Sequence, residues 1–286
     1  MKFEGEQTVP SYIRIDRIDL TCDYYTYGAN TRNFVDAWVY VDDDIRGCFE
    51  LPATIPVLKK GPHKVAVYAG IAVNGVKGAR ADYPFTSPVI YNNVNLVPDS
   101  IVTLNPVVTY WPNGDNLHVR WLEDFDSGTI TMETTSQSDV PFIRASGPLA
   151  WHDPEGVHST YSAKFELFSD STRFCFATSE AFTDLPTQGS PCMLEMDYKC
   201  SDTCAVGIYY MLNYTVYQEA LVRLRPTGDS GVEPVDWKKI YINLGPYFVD
   251  YEDADYFKVY LSSWSNRNDG PQYFYFDNLK IIYQDR

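Results

Sequence analysis

The chain has 286 residues, 45% of them hydrophobic, and a formal net charge of −15 with a pI near 4.6. This length allows one or two domains with real hydrophobic cores. The negative charge disfavours nucleic acid and anionic membrane surfaces as partners, because their phosphate groups would be repelled. No run approaches the roughly 18 consecutive apolar residues of a membrane helix. The polar start, MKFEGEQTVP, does not resemble a secretory signal peptide.

Short stretches of alternating apolar and polar residues, separated by turn residues, recur along the whole chain. Examples are YIRIDRIDL, AWVYV, HKVAVYAGIAV, CMLEMDYKC, KKIYINL, FKVYL and NLKIIY. A period of two is typical of half-buried β-strands. No stretch has a convincing helical period, and EDADYF at 252–257 is at most one helical turn. The pattern therefore predicts an all-β protein built from sandwiches.

A polar segment with two prolines, NPVVTYWPNGDNLH, interrupts the alternation at 105–118. The segment LEDFDSGTI then starts a new series of strands. We predict four regions: a tether at 1–9, a small β-sandwich at 10–110, a linker at 111–118 and a second β-sandwich at 119–286.

The six cysteines are even in number, which suits an oxidising compartment. KCSDTC resembles half of a metal knuckle, but no second close pair of Cys or His accompanies it. A local disulfide or free thiols are therefore favoured over zinc. The sequence leaves the pairing open for all six residues, which are Cys22, Cys48, Cys175, Cys192, Cys200 and Cys204.

Three consecutive aspartates, at 42–44, lie between the apolar runs AWVYV and RGCFEL. Aspartate tolerates turn conformations and hydrogen-bonds its own backbone, so it suits the tip of a hairpin. An EF-hand loop would need acids at alternate positions, then a glycine and a distant glutamate, and DDDIRG does not match. We predict a turn here rather than a cation site.

The run from Val39 to Gly70 resembles a PEGA-type surface module. It has a strand, a Val-Asp turn, a second strand ending near Pro52, and a G-x-H-x-V-x-V strand at 61–67. The first 125 residues also resemble uncharacterised secreted lipoproteins of Bacteroidota, through DAWVYV, ELPATIPVL and YPF. The resemblance implies a PEGA-like or Ig-like first domain. It also implies a lipid-anchored envelope protein, in which Met1 replaces the lipid-bearing Cys.

The second half begins with LEDFDSGTI and ends with YFYFDNLKIIY. It resembles jelly-roll modules that bind carbohydrate, in which an acidic first strand lies beside a last strand carrying Asp-Asn. The resemblance implies a jelly roll with a structural calcium held by Asp124, Asp126 and Asp277, with Gly128 and Asn278 completing the pattern. In the alternative interpretation these acids cap turns and sheet ends.

Strand parity separates a core face from a mixed face in CMLEMDYKC, KKIYINL and FKVYLSSW. The mixed face carries carboxylates, amides and aromatic rings. Sugar recognition uses flat rings against sugar C–H faces and polar groups for the hydroxyls. We therefore predict five ligand-binding candidates: Tyr241, Tyr260, Trp264, Asn266 and Arg267. In the alternative, this face is solvated and its tyrosines support cross-strand pairs.

Catalytic patterns are weak. GDSG at 228–231 lacks the second glycine and the histidine context of a serine protease. His152 and His158 in WHDPEGVHS could grip a metal, but proline and glycine indicate a surface loop. No motif marks the paired carboxylates of a glycosidase. We predict no enzyme activity and no cofactor beyond the structural calcium.

The leading functional prediction is a non-catalytic cell-envelope lipoprotein ectodomain that binds a protein or a glycan. It would lie at the outer membrane or cell surface, or otherwise be periplasmic or secreted. Membrane contact would occur only through a lipidated N-terminus. The first alternative is a carbohydrate-binding accessory protein of polysaccharide utilisation. The second is a structural subunit of an outer-membrane secretion or motility assembly, and a glycan-active enzyme is the least favoured.

Overall fold

The computed structural model describes residues 9–112, 116–127, 129–147, 150–151, 160–168, 173–228, 236–265 and 270–285. Its regular elements are β-strands with two short helices, so the prediction of an all-β protein is confirmed. The strands form β-sandwiches. No helix in these ranges combines the length and apolar character needed to cross a membrane.

The chain divides into two compact units. The N-terminal unit contains the described residues up to Asp23 together with Arg32–Pro112. The C-terminal unit contains Tyr24–Thr31 together with the chain after Pro112. The later division falls within the predicted linker. The predicted first domain, 10–110, includes 24–31, whereas this segment groups with the second compact unit.

The N-terminal unit is a small sandwich whose larger sheet has the order β4-β3-β6-β7, with β8 also paired to β6. A three-stranded sheet, β5-β1-β9, faces it, and β10 pairs with β2. In β1 every second residue, Ser11, Ile13 and Ile15, is buried, and the residues between them are half-buried. The strands are β1 (Ser11–Ile15), β2 (Asp19–Leu20), β3 (Asp36–Val41), β4 (Asp44–Glu50), β5 (Ala53–Val57), β6 (Gly61–Ala72), β7 (Arg80–Asp82), β8 (Val89–Leu96), β9 (Ile101–Leu104) and β10 (Val107–Val108).

The aspartate run forms the tip of the β3–β4 hairpin. Asp42 and Asp43 have φ values of 52° and 67°, the left-handed conformation that a two-residue type I′ turn requires. The Asp42 carboxylate pairs with Lys59 Nζ at 2.5 Å and with His63 Nδ1 at 2.8 Å. The hydrogen bond from Lys59 is the main reason that the pKa of Asp42 falls to about 2. The prediction of a turn is confirmed.

The C-terminal unit is a jelly-roll sandwich of a six-stranded and a five-stranded sheet. The six-stranded sheet has the order β13-β14-β21-β16-β19, with β11 also paired to β21, and the five-stranded sheet has the order β12-β15-β20-β17-β18. The elements are α1 (Tyr24–Tyr27), β11 (Leu117–Glu123), β12 (Met132–Thr134), β13 (Ile143–Ala145), β14 (Ser162–Leu167), β15 (Phe174–Ser179), β16 (Cys192–Cys200), β17 (Cys204–Leu212), β18 (Thr215–Leu224), β19 (Lys238–Asn243), α2 (Gly245–Asp250), β20 (Tyr256–Trp264) and β21 (Gln272–Gln284).

The core of this unit lies between the two sheets. Consecutive strands repeatedly switch from one sheet to the other, so residues from the whole unit contribute to this core. The core face predicted from strand parity is confirmed. Its members all belong to one buried cluster: Leu194, Met196, Tyr198, Ile240, Ile242, Leu244, Phe257, Val259 and Leu261. The helix α2 was not predicted and lies just before 252–257. Pro246 lies in its first turn, where the N–H that proline lacks would have no helical partner. The helix is too short to show a helical period in the sequence.

Candidate functional site

The outer face of the six-stranded sheet carries buried charges on β16, β19 and β21. We call the set Glu195, Asp197, Lys239 and Lys280 the ionic face. Glu195 Oε2 lies 2.9 Å from Lys239 Nζ and 3.4 Å from Lys280 Nζ. All four residues are buried. Burial alone would lower the pKa of Lys239, but the charges of Glu195 and Asp197 outweigh it and raise that pKa.

The segment Tyr24–Thr31 covers the ionic face. Lys280 Nζ donates to the carbonyl oxygen of Tyr27 at 2.9 Å, and Lys239 Nζ donates to Thr31 Oγ1 at 3.0 Å. Gly28, with φ +75°, lets the chain turn against the sheet, since a Cβ there would lie 2.8 Å from Leu122 Cδ1. These contacts satisfy the buried ammonium groups, which would otherwise be costly to desolvate.

Tyr241 lies on this covered face. Its side chain is 2% exposed, and Lys239 Nζ lies 5.8 Å from its ring centroid. Strand parity correctly places Tyr241 away from the core, but the residue is buried and does not present the exposed ring that sugar stacking needs.

The acids predicted to hold calcium accept hydrogen bonds from neighbouring groups. Asp277 Oδ2 accepts from Ser162 Oγ at 2.6 Å, and its Oδ1 accepts from the Asn278 N–H at 2.7 Å. Burial raises the pKa of Asp277 well above its usual range. Asp124 Oδ2 accepts from the Tyr24 hydroxyl at 2.9 Å, and Asp126 Oδ1 accepts from the Thr160 N–H at 2.9 Å.

This geometry matches the alternative interpretation, in which the acids cap turns and sheet ends. Within the described ranges, no group of three or more His, Cys, Asp or Glu side chains is placed to hold a metal ion. Two buried oxygens, Asp126 Oδ2 and Asn278 Oδ1, have no hydrogen-bond partner in the part of the chain that the structure describes. Gly128 lies outside the described residues, and calcium stays a prediction.

The outer face of the five-stranded sheet carries a group of rings that we call the aromatic face: Phe174, Phe176, Tyr209, Tyr260 and Trp264. Tyr260 stacks on Phe176 with ring centroids 5.0 Å apart. It also lies over Gly207, its partner in β17, where a Cβ would come 2.4 Å from Tyr260 Cε1. Tyr260 is therefore only 1% exposed and does not present the exposed ring that sugar stacking needs.

Trp264 differs from the two tyrosines, because it ends β20 and is 58% exposed. Its ring lies beside Phe174, with centroids 5.7 Å apart. Both rings line a pocket of about 470 Å³. The other lining residues are Asp202, Thr203, Ala205, Arg223, Ser262 and Ser263. Asn266 and Arg267, the remaining candidates, lie outside the described residues.

Strand register explains the pocket. Phe176, Ser262, Ala205 and Arg223 form one row across β15, β20, β17 and β18. Ser262 and Ala205, in the middle of the row, are small, whereas the two end residues are large. The sheet surface is therefore depressed at the centre of the row. Trp264 follows Ser262 by two positions and therefore stands on the same face. We define this depression, with its rim of Trp264, Phe174 and Arg223, as the Trp264 pocket.

The pocket offers two kinds of contact. The rings of Trp264 and Phe174 supply a partly apolar wall. Ser262 and Asp202 supply polar groups, and Asp202 Oδ1 already accepts from the Thr203 N–H at 2.6 Å. A second pocket, of about 540 Å³, lies beside α2. Its lining, which includes Ser190, Met193 and Asn243, contains no aromatic residue.

The two histidines that the structure describes each contact an aspartate. His118 Nε2 lies 2.7 Å from Asp285 Oδ2, and His63 Nδ1 lies 2.8 Å from Asp42 Oδ2 in the hairpin. The metal candidate at 152–158 and most of GDSG lie outside the described residues. Cys200 and Cys204 are buried free thiols, as is consistent with the alternative to zinc. The absence of enzyme activity stays a prediction.

No family model matches the chain, and no curated protein matches it. Three solved structures illustrate what the chain is similar to. A xylan-binding domain from carbohydrate-binding module family 22 is 11% identical over 61% of this chain and 99% of that chain, with a TM-score of 0.38. A carbohydrate-binding module of the β-sandwich superfamily, described as promiscuous in specificity, is 13% identical over 86% and 84%, with a TM-score of 0.41. The K1 cleaved adhesin domain of Lys-gingipain from Porphyromonas gingivalis is 13% identical over 58% and 98%, with a TM-score of 0.36.

Proposed function

We propose that the C-terminal unit binds carbohydrate in the Trp264 pocket, as a non-catalytic accessory module for glycan capture. The observation that carries the proposal is a tryptophan, Trp264, that is 58% exposed and lines an open pocket. A large aromatic ring left in water costs free energy, because its apolar faces stay hydrated. A sugar ring removes that cost by placing its C–H face on the indole.

The polar lining supports the same proposal. Sugar hydroxyl groups need both donors and acceptors, because an unpaired hydroxyl buried on binding weakens affinity. Ser262 supplies a hydroxyl that can do both, and Asp202 supplies acceptor oxygens. The combination of ring and polar groups separates this pocket from the one beside α2.

The test compares Trp264→Ala with Tyr214→Ala in affinity gels and a glycan array. Tyr214 is 97% exposed at the β17–β18 turn, so its loss is a matched control for removing a surface ring. Loss of a central aromatic contact typically costs more than tenfold in affinity. We expect Trp264→Ala to lose binding by at least about tenfold and Tyr214→Ala to retain it.

An array without hits, or equal binding by the two variants, would contradict the proposal. A stoichiometric protein that co-purifies from native envelopes and depends on Trp264 would instead favour the assembly function. Hydrolysis of a bound glycan would contradict the non-catalytic part.

We further propose that the N-terminal unit is a PEGA-like spacer and that the protein is held at the cell envelope by a lipid. The support is the sequence resemblance of the first 125 residues. The test is fractionation of the source cells followed by intact-mass measurement of the native protein. A lipid adduct in the membrane fraction is expected, and an unmodified protein in the soluble fraction would contradict it.

A further inference from the structure

We propose that the Trp264 pocket selects an acidic sugar, with Arg223 binding the anionic group of a glycan whose ring stacks on Trp264. This inference rests on the proposed glycan binding and adds the chemical class of the ligand. Its central observation is the guanidinium group of Arg223, which lines the pocket without a counterion.

Several other arginines that the structure describes are matched to acceptors. Arg14 pairs with Asp16 at 2.7 Å, Arg80 bridges Asp36 and Glu50, and Arg120 pairs with Asp184 at 2.6 Å. Arg223 makes no hydrogen bond and no ion pair with any residue that the structure describes. The Arg225 side chain likewise has no partner among the described residues, but Arg225 does not line the pocket, so the position beside Trp264 distinguishes Arg223.

The neighbouring acid does not neutralise Arg223. Asp202 lines the same pocket, but it uses Oδ1 to accept from the Thr203 N–H and forms no ion pair with Arg223. The guanidinium therefore keeps its five donors for a ligand. A guanidinium fork matches a carboxylate or sulfate group in two parallel hydrogen bonds, which fixes direction as well as charge.

The spacing suits one sugar ring. Trp264 lies on β20 and Arg223 on β18, with β17 between them. Arg223 is aligned through Ala205 with Ser262, and Trp264 lies two residues beyond Ser262. Two strand spacings across the sheet and two residues along β20 place the backbones of Trp264 and Arg223 about 12 Å apart. A ring stacked on the indole and carrying an acidic group outside the ring spans this gap once both side chains lean inward. The small side chain of Ala205 leaves the floor beside Arg223 clear.

Charge also sets the specificity. The net charge of −15 repels polyanions from most of the surface, so weak non-specific attraction is not the source of binding. An acidic glycan gains affinity only beside a cationic side chain that is not already paired with an acid. A neutral glycan keeps the stacking contact but leaves the guanidinium hydrated.

The experiment measures dissociation constants of the full chain by calorimetry for two matched pairs of glycans. Polygalacturonate is compared with its methyl-esterified, uncharged form, and dextran sulfate with dextran. We expect the acidic member of one pair to bind about tenfold or more tightly than its neutral counterpart, as for a charge-assisted hydrogen bond. The pair that shows the preference identifies a carboxylate or a sulfate as the anionic group.

The variants assign that preference to Arg223. Arg223→Gln should remove it while leaving neutral binding within about twofold, and Arg223→Lys should retain only part of it because an ammonium lacks the planar fork. Arg225→Gln is the control, since it removes the same charge outside the pocket. Circular dichroism confirms that each variant is folded.

Two outcomes separate this inference from the proposed function. Equal binding of acidic and neutral glycans, or a preference that survives Arg223→Gln, would overturn the inference while glycan binding stands. Failure of every glycan to bind would overturn both.

Discussion

The ionic face buries Glu195 between two lysines beneath Tyr24–Thr31, whereas the aromatic face leaves Trp264 exposed beside Arg223. Both faces belong to the same sandwich and point away from the same core. They differ in what covers them. Alternation along a strand therefore identifies the residues that avoid the core, but it does not say whether water, another segment or a ligand meets them.

The largest expected effect on stability comes from a substitution in the ionic face. Glu195→Gln would remove the negative charge between Lys239 and Lys280 and leave two buried ammonium groups without it. Breaking a buried ion pair typically costs about 3–5 kcal/mol. We expect a loss of this size in the free energy of unfolding, measured by urea denaturation.

The control is Glu133→Gln, which disrupts the exposed ion pair with Lys258 at 3.5 Å. Exposed pairs contribute about 0–1 kcal/mol, because water screens both charges. Equal losses in the two variants would show that Tyr24–Thr31 does not shield the ionic face.

A smaller effect sharpens the description of the aromatic face. In Gly207→Ala the new Cβ would lie 2.2 Å from the Glu219 carbonyl oxygen and 2.4 Å from the Tyr260 ring. Overpacking of this kind costs about 1–3 kcal/mol. We expect a lower Tm and a changed near-ultraviolet circular dichroism signal, as Tyr260 leaves its stack. Gly78→Ala, which meets no atom within 4 Å, should change neither. An unchanged near-ultraviolet signal in Gly207→Ala would contradict the packing of Tyr260 on Gly207.

The last expected effect concerns the pH dependence of stability and Asp277, which is paired with Asp197 of the ionic face. Burial raises the pKa of Asp277, so above the usual aspartate range the folded state binds more protons than the unfolded state. The contribution of Asp277 to stability is therefore present at low pH and declines as the pH rises through the folded-state pKa. Relative to Asp277→Asn, the wild type should lose at most about 1.4 kcal/mol per pH unit from pH 4 upward. Urea denaturation at several pH values measures the difference.

Chelation decides between this description and calcium. A protonated Asp277 without a bound cation predicts that EDTA leaves the Tm unchanged. A Tm lowered by EDTA, and insensitive to EDTA in Asp277→Ala, would show that a calcium ion holds the carboxylate ionised.

The sequence was sufficient for the fold class because the period of two repeats in nearly every strand. It was also sufficient for the aspartate turn, since local backbone preference sets that conformation. It was not sufficient for the segment Tyr24–Thr31. This segment lies between two strands of the N-terminal unit in sequence, and only its tertiary contacts with Lys239 and Lys280 assign it elsewhere.

Of the residues that line the Trp264 pocket, the sequence predicted only Trp264, which is the last residue of β20. Tyr260 was placed on the correct face, but its burial depends on the register that pairs it with Gly207. Arg223 was missed, because β18 pairs with β17 across a bulge between Val206 and Gly207 that interrupts the alternation. The position of Arg223 beside the pocket can be recognised only when the register of β15, β20, β17 and β18 is known.

The position of Tyr24–Thr31 also determines how the protein can be dissected for experiments. A gene fragment that starts after Pro112 encodes all eleven strands of the jelly roll, yet it omits the peptide that caps Lys239 and Lys280. We expect such a truncation to express poorly or to aggregate. Recombinant versions of the second half should therefore carry residues 24–31, fused through a linker or added as a synthetic peptide.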